Sequence, residues 1–196
     1  MAEPITKRDL RKMPMMPYHE VREMLKTGDI FFSSGSYLFS GFIQRLTKST
    51  WSHVAMIYKD EELGRVLVLE AEPFYGIRLI PLSKYLKDYQ GKRKPYKGQI
   101  VLARLSGEVL KEHINQGISF GLDELTRPYD NYEIVRIMIR ILLRMTKRER
   151  NRQYICSEFV RAILMKSRVN MPYQDTYISP DNVWQHKRVE MMCRIL

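Results

Sequence analysis

The sequence predicts an α+β domain, a cluster of short strands flanked by helices. Two observations point there. Residues 53–58 and 65–71 are β-rich runs separated by the charged turn Lys59-Asp60-Glu61-Glu62-Leu63-Gly64, the pattern of an antiparallel hairpin. On both sides of the strand cluster, apolar residues recur at three- and four-residue intervals, the helical period, so helices flank the strands.

The elements follow in order. Tyr18 to Lys26 has helical spacing, with Val21, Met24 and Leu25 on one side, and Thr27-Gly28-Asp29 ends it as a glycine cap. Ile30, Phe31 and Phe32 read as a short buried strand. After a Ser/Gly segment, Tyr37 to Thr47 is helical, with Leu38, Phe42, Ile43 and Leu46 in phase. Beyond the hairpin, Gly76 to Leu82 and Gln99 to Leu105 are two further strands, with the basic loop Gln90 to Lys97 between them. Val109 to Leu122 is a helix and Thr126 to Asn131 a loop. Glu133 to Met145 is an apolar helix with Arg136, Arg140 and Arg144 as a basic stripe. Cys156 to Lys166 is a helix that buries Phe159, Val160, Ile163 and Leu164. Met171 to Pro180 is irregular, Asp181 to Gln185 a helical turn and Val189 to Leu196 a final strand.

With 196 residues and 44% hydrophobic composition the chain has material for one compact domain, residues 1–196, in which residues 1–27 form an N-terminal extension and helix. The first residues carry no apolar signal core, and Ile30 to Gln44 is too short and too rich in Ser and Gly to cross a bilayer, so a cytoplasmic protein is expected, with membrane association left open. Cys156 and Cys193 offer neither a disulfide framework nor the paired spacing of a zinc site, which fits a reducing compartment and predicts no metal and no cofactor. A net charge of +11, from 33 basic against 22 acidic residues, favours anionic partners: phospholipid, cell-wall polymer or nucleic acid. No aromatic-basic motif of a nucleic-acid reader accompanies the charge, so nucleic acid is the weakest of the three.

Cys156 stands where a polar segment gives way to an apolar helix, a setting in which unpaired N–H groups and the helix dipole favour a thiolate. A thiol nucleophile needs an imidazole, itself oriented by a third polar group. Of the 4 histidines, His19, His113 and His186 fall on polar stretches, whereas His53 opens the apolar run Trp51 to Ile57. If Tyr58 pairs with Arg65 in the hairpin, His53 faces Glu70, a carboxylate in the apolar run Val66 to Leu69, and Ala55, Ile57, Val66 and Val68 share one face. A neutral His53 held by Glu70 and aimed at Cys156 makes a complete set. Taken singly, each residue has a plain alternative: a small core cysteine, a satisfied strand histidine, a carboxylate at a wet strand end.

The motifs Gly28-Asp29-Ile30-Phe31-Phe32, Ser52-His53-Val54-Ala55-Met56, Leu69-Glu70-Ala71, Pro128-Tyr129-Asp130, Tyr154-Ile155-Cys156-Ser157-Glu158-Phe159-Val160 and Ser179-Pro180-Asp181 occur in one order. That order resembles the circularly permuted branch of the NlpC-type papain-like cysteine hydrolases, similar to lecithin retinol acyltransferase and to the YiiX and YebB type, over about Gly28 to Gln185. The histidine strand precedes the cysteine helix, the reverse of the unpermuted order. The resemblance implies a permuted papain-like fold, a curved antiparallel sheet or partial barrel packed on the cysteine helix. It also implies Cys156 as nucleophile, His53 as base and Glu70 as third member. Glu72 competes for the third role, but Pro73 follows it and the family pattern is Glu-Ala. Glu in place of a third histidine makes acyl transfer to retinoid-type lipids the less expected chemistry.

The expected activity is cleavage of an amide or ester through a Cys156 thioester, as in a peptidase or amidase, with the backbone N–H of Cys156 as an oxyanion donor. Tyr154 is placed to add a hydroxyl or line the pocket. With Trp51, Tyr37 and Phe42 it forms the expected substrate wall, although ordinary packing is open to each. The expected partner is a small molecule, a peptide or an acyl lipid, including a lipid-linked or cell-wall fragment, with peripheral contact to an anionic membrane. The competing function is a catalytically silent lipid- or anion-binding protein of the same fold.

Overall fold

The computed structural model describes residues 5–36, 40–41, 44, 49–72, 75–127, 156–171 and 178–196. Its sheet is built from β1 (Ile30–Gly35), β2 (His53–Asp60), β3 (Arg65–Glu72), β4 (Gly76–Pro81), β5 (Gly98–Leu105) and β6 (Val189–Arg194). The order is β4-β3-β2-β1-β5-β6 and every neighbouring pair is antiparallel. The sheet is open, with β4 and β6 at its edges. The helices are α1 (Lys7–Lys12), α2 (Tyr18–Met24), α3 (Leu82–Lys87), α4 (Lys111–Asp123), α5 (Cys156–Lys166) and α6 (Pro180–Trp184). Among the described residues no helix is long and apolar enough to cross a membrane.

Strict alternation along the central strands buries both faces. Ile30 and Phe32 on β1, Val54 and Met56 on β2 and Leu69 and Ala71 on β3 pack with Phe159, Val160, Ile163 and Leu164 of α5. Phe31, Ala55, Ile57, Val66 and Val68 point the other way, onto Val21 of α2, Leu82 and Tyr85 of α3, and the rings of Tyr89 and Tyr96. The shared face expected for Ala55, Ile57, Val66 and Val68 is therefore present. α5 lies across β2 and β3, which brings its first residue, Cys156, toward the start of β2.

Three local features depart from the sequence expectation. β4 stops at Pro81, which has no N–H to extend the ladder and a φ suited to a helix start, so Leu82 opens α3 instead of ending the strand. Thr6 and Asp9 close a capping box on α1, where only an extension was expected. The helix before β1 ends at Met24, and Gly28 supplies the positive φ (+97°) of the following turn, with Ile114 packed against it. The helix expected over Glu133–Met145 lies outside the described residues, as does most of Tyr37–Thr47.

The seat of α5 depends on small residues of α4. A Cβ at Gly117 would stand 2.0 Å from Ser167 Oγ and 2.5 Å from the Ile163 carbonyl oxygen. Gly117→Ala is therefore expected to destabilise the fold by a net ~1–2 kcal/mol, overpacking outweighing the better helix propensity of alanine. Chemical denaturation reads this as a lower midpoint at unchanged slope.

Candidate active site

β2 and β3 pair from Asp60 opposite Arg65 to Met56 opposite Leu69, where the ladder stops. Tyr58 faces Leu67, so the hairpin is two residues out from the expected register. Continued past its last pair, this ladder sets His53 across from Glu72, with Glu70 on the diagonal. A slip of two keeps each side chain on its face, and diagonal neighbours remain within reach of a long side chain. His53 Nε2 donates to Glu70 Oε2 at 2.7 Å, while Glu72 Oε2 stays 3.9 Å away. Between the two competing carboxylates, the contact belongs to Glu70.

Cys156, a free and half-buried thiol, is the first residue of α5, and its side chain is hydrogen-bonded with His53. Since Nε2 is engaged by Glu70, Nδ1 is the ring nitrogen left for sulfur. The acid–base pair lies on the tyrosine-lined face of the sheet and α5 covers the other. They meet at the end where β2 and β3 no longer pair.

Glu70 is wholly buried and saturated with donors. Besides His53, Tyr85 donates its hydroxyl to Oε2 at 2.5 Å and Arg78 places Nε 2.8 Å from Oε1. Burial pushes the Glu70 carboxyl up, but the His53 hydrogen bond and charge, followed by Arg78 and Tyr85, bring it below the ordinary 4.5. Glu72 moves the other way, raised by burial and then by the charge of Glu70. For His53, burial alone would lower the pKa. The hydrogen bonds with Cys156 and Glu70 and their charges outweigh it, so the ring stays protonated well above the ordinary 6.5. This direction favours the charged ring over the neutral imidazole expected from sequence.

His53 Nε2 and one oxygen each from Glu70 and Glu72 lie within 4.8 Å of one another, a spacing open to metal ligands. A metal does not fit this set. The Arg78 guanidinium already stands 2.8 Å from Glu70 Oε1 and 4.0 Å from Glu72 Oε2. His53 Nε2 carries the proton it donates to Glu70, whereas a ligating nitrogen must present a lone pair.

The residues expected to contact substrate fare differently. Trp51 is fully buried, its ring centroid 5.2 Å from that of Phe32 and 4.7 Å from that of Trp184 on α6, so its place is in the core and not on a substrate wall. Tyr37, Phe42 and Tyr154 lie outside the described residues. Arg78 and Tyr85 were missed from sequence, although the short connection between Glu72 and Gly76 contains the signal: it sets Arg78 directly across from Glu70.

The sequence profile of the permuted papain-like amidase enzymes (YaeF/YiiX, C92 family) matches residues 24–191. The chain belongs to this family. The order of its parts, histidine strand before cysteine helix, is the permuted order, and as a member of an amidase family the chain is a cysteine hydrolase of the amidase type. Among solved structures, it is similar to the metalloprotein YiiX from Escherichia coli O157:H7, with a TM-score of 0.51 and 22% identity over 85% of this chain and 96% of that one. At that identity the likeness speaks for the permuted papain-like fold alone. No curated protein matches the chain.

Proposed function

We propose that this permuted papain-like amidase hydrolyses an amide or ester bond with Cys156 as nucleophile, His53 as proton carrier and Glu70 as the group that orients His53. The observation that carries the reading is the Cys156–His53–Glu70 chain, in which a helix-start thiol and a fully buried carboxylate engage one imidazole. Sulfur attacks the carbonyl carbon, and the backbone N–H of Cys156, at the helix start, serves in this reading as the oxyanion donor. The His53 imidazolium then protonates the leaving nitrogen or oxygen as the thioester forms. Neutral His53 takes a proton from water as the water oxygen attacks the thioester carbonyl, the C–S bond breaks with its electron pair going to Cys156 sulfur, and the carboxylic acid is released. The metalloprotein designation belongs to YiiX, and no step here runs through a metal.

The two pKa shifts set the pH limits. The raised His53 value implies activity maintained above pH 6.5 and lost as pH rises through that value, when the proton for the leaving group is gone. The lowered Glu70 value keeps this carboxylate charged through the ordinary 4.5, so protonation of Glu70 causes no loss above that pH. A pH–rate profile showing an alkaline loss that begins below pH 6.5 would contradict this assignment.

For substrate, the reading favours an acyl or peptidyl amide presented at an anionic surface, as in a lipid-linked or cell-wall peptide fragment. Support comes from the charge of +11 and from the aromatic sequence segments around Tyr37, Phe42 and Tyr154. Two free cysteines are compatible with a reducing compartment. A panel of N-acyl amino acids, short peptides and γ-linked peptide amides, assayed for amine release, tests the class. Turnover on the N-acyl members that rises with phosphatidylserine vesicles supports the surface reading. Absence of turnover on every member, with vesicle binding that survives Cys156→Ala, selects the silent lipid-binding alternative.

A further inference from the structure

Glu70 is gripped from two elements other than the one that carries His53. Arg78, its register partner on β4, donates Nε to Oε1 at 2.8 Å and holds Nη2 2.8 Å from the same oxygen as an ion pair without a hydrogen bond. Tyr85 on α3 donates to Oε2, the same oxygen that accepts the His53 proton. The guanidinium is itself covered by the Tyr75 ring, 4.5 Å from its centroid. We propose that Arg78 and Tyr85 are positioning residues that clamp Glu70, fixing the oxygen that directs the His53 imidazolium toward Cys156. The proposal rests on the Cys156–His53–Glu70 reading of the site.

The clamp answers a definite difficulty. A glutamate has three side-chain torsions, and a buried carboxylate without a counter-charge would take up a proton and turn from acceptor to donor. Arg78 supplies the charge and takes Oε1. That leaves Oε2 to Tyr85 of α3 and His53 of β2. Tyr85 remains a phenol, because burial and then the neighbouring Glu70 charge raise it well above the ordinary 10.0. The groups facing Glu70 are His53 from β2, Arg78 from β4, Tyr85 from α3 and Glu72 from its own strand. Tyr89 hydrogen-bonds Glu72, and Cys156 of α5 lies beyond His53. Of these only Arg78 is a permanent cation, so its loss has one direction. Glu70 titrates at higher pH, and the His53–Cys156 pair it supports becomes reactive at higher pH.

Alkylation of Cys156 by iodoacetamide, followed against pH and mapped by peptide mass spectrometry, reads that pair without a substrate and keeps buried Cys193 out of the count. In Arg78→Gln the midpoint of the rate against pH should rise by about one unit, the usual effect of removing an adjacent opposite charge. Tyr85→Phe, which keeps the ring packed at a tilt against Phe31 and removes one hydroxyl, should raise it less. Arg78→Lys should return it toward wild type. Wild-type midpoints in both Arg78→Gln and Tyr85→Phe overturn the clamp. Should Arg78→Gln fail to fold, Tyr85→Phe decides alone. Glu70→Gln, run beside them, separates the two levels: an unmoved midpoint there overturns the triad reading itself, whereas a shift there with none in the other two overturns only the clamp.

Discussion

Cys156→Ala is expected to bring amide or ester hydrolysis to background, a loss on the order of 10⁴-fold or more, because removing the nucleophile leaves only binding and oxyanion contacts to accelerate the reaction. Cys156 is half-buried at the very start of α5 and loses only its sulfur, so the thermal midpoint should stay close to wild type. Retained turnover in a folded Cys156→Ala protein would remove sulfur from the mechanism. Labelling by a thiol-directed activity probe should vanish in the same variant, although Cys193 is still present.

Glu70→Ala should be among the most destabilising single substitutions in the described core. It leaves the Arg78 guanidinium and the Tyr85 hydroxyl facing a cavity where a fully buried carboxylate stood. Breaking a buried ion pair from one side costs about 3–5 kcal/mol, since the remaining charge is stranded. Glu72, 4.0 Å from the guanidinium, offsets part of that penalty. Glu70→Gln keeps the volume and one acceptor oxygen and should lose about half as much stability, yet it should still cost about 10²- to 10⁴-fold in turnover, because an amide does not hold the imidazolium. Denaturant titration and turnover on the same preparations check both. A Glu70→Gln enzyme with wild-type turnover would reduce Glu70 to a structural residue.

Much of this arrangement is legible in the chain because it rests on strong local patterns. The apolar runs of β1, β2 and β3 and the periodicity of α5 are read directly, and the placement of His53 and Glu70 on one face follows from parity alone. Parity is also why the register was missed. A slip of two residues preserves every face, so the apolar pattern cannot tell Tyr58 opposite Arg65 from Tyr58 opposite Leu67. The choice of Glu70 over Glu72 then depends on where the ladder ends, which is a tertiary matter. Arg78 and Tyr85 went unread for related reasons: one requires the register of β3 with β4, the other a six-residue helix too short to show a period. Trp51 was expected on the substrate wall, and its burial depends on Phe32 and on Trp184 from the far end of the chain.

The central claim is that Cys156 forms a covalent acyl-enzyme. Its most direct test is acid-quenched mass spectrometry of the protein during turnover of an activated ester such as 4-nitrophenyl acetate, with the adduct mapped to a peptide. The account predicts an acetyl group on Cys156, formed in a burst with nitrophenolate, slowed in His53→Ala and absent from Cys156→Ala. An acetyl group found only elsewhere, or ester turnover with no adduct on Cys156 at any time, would contradict it.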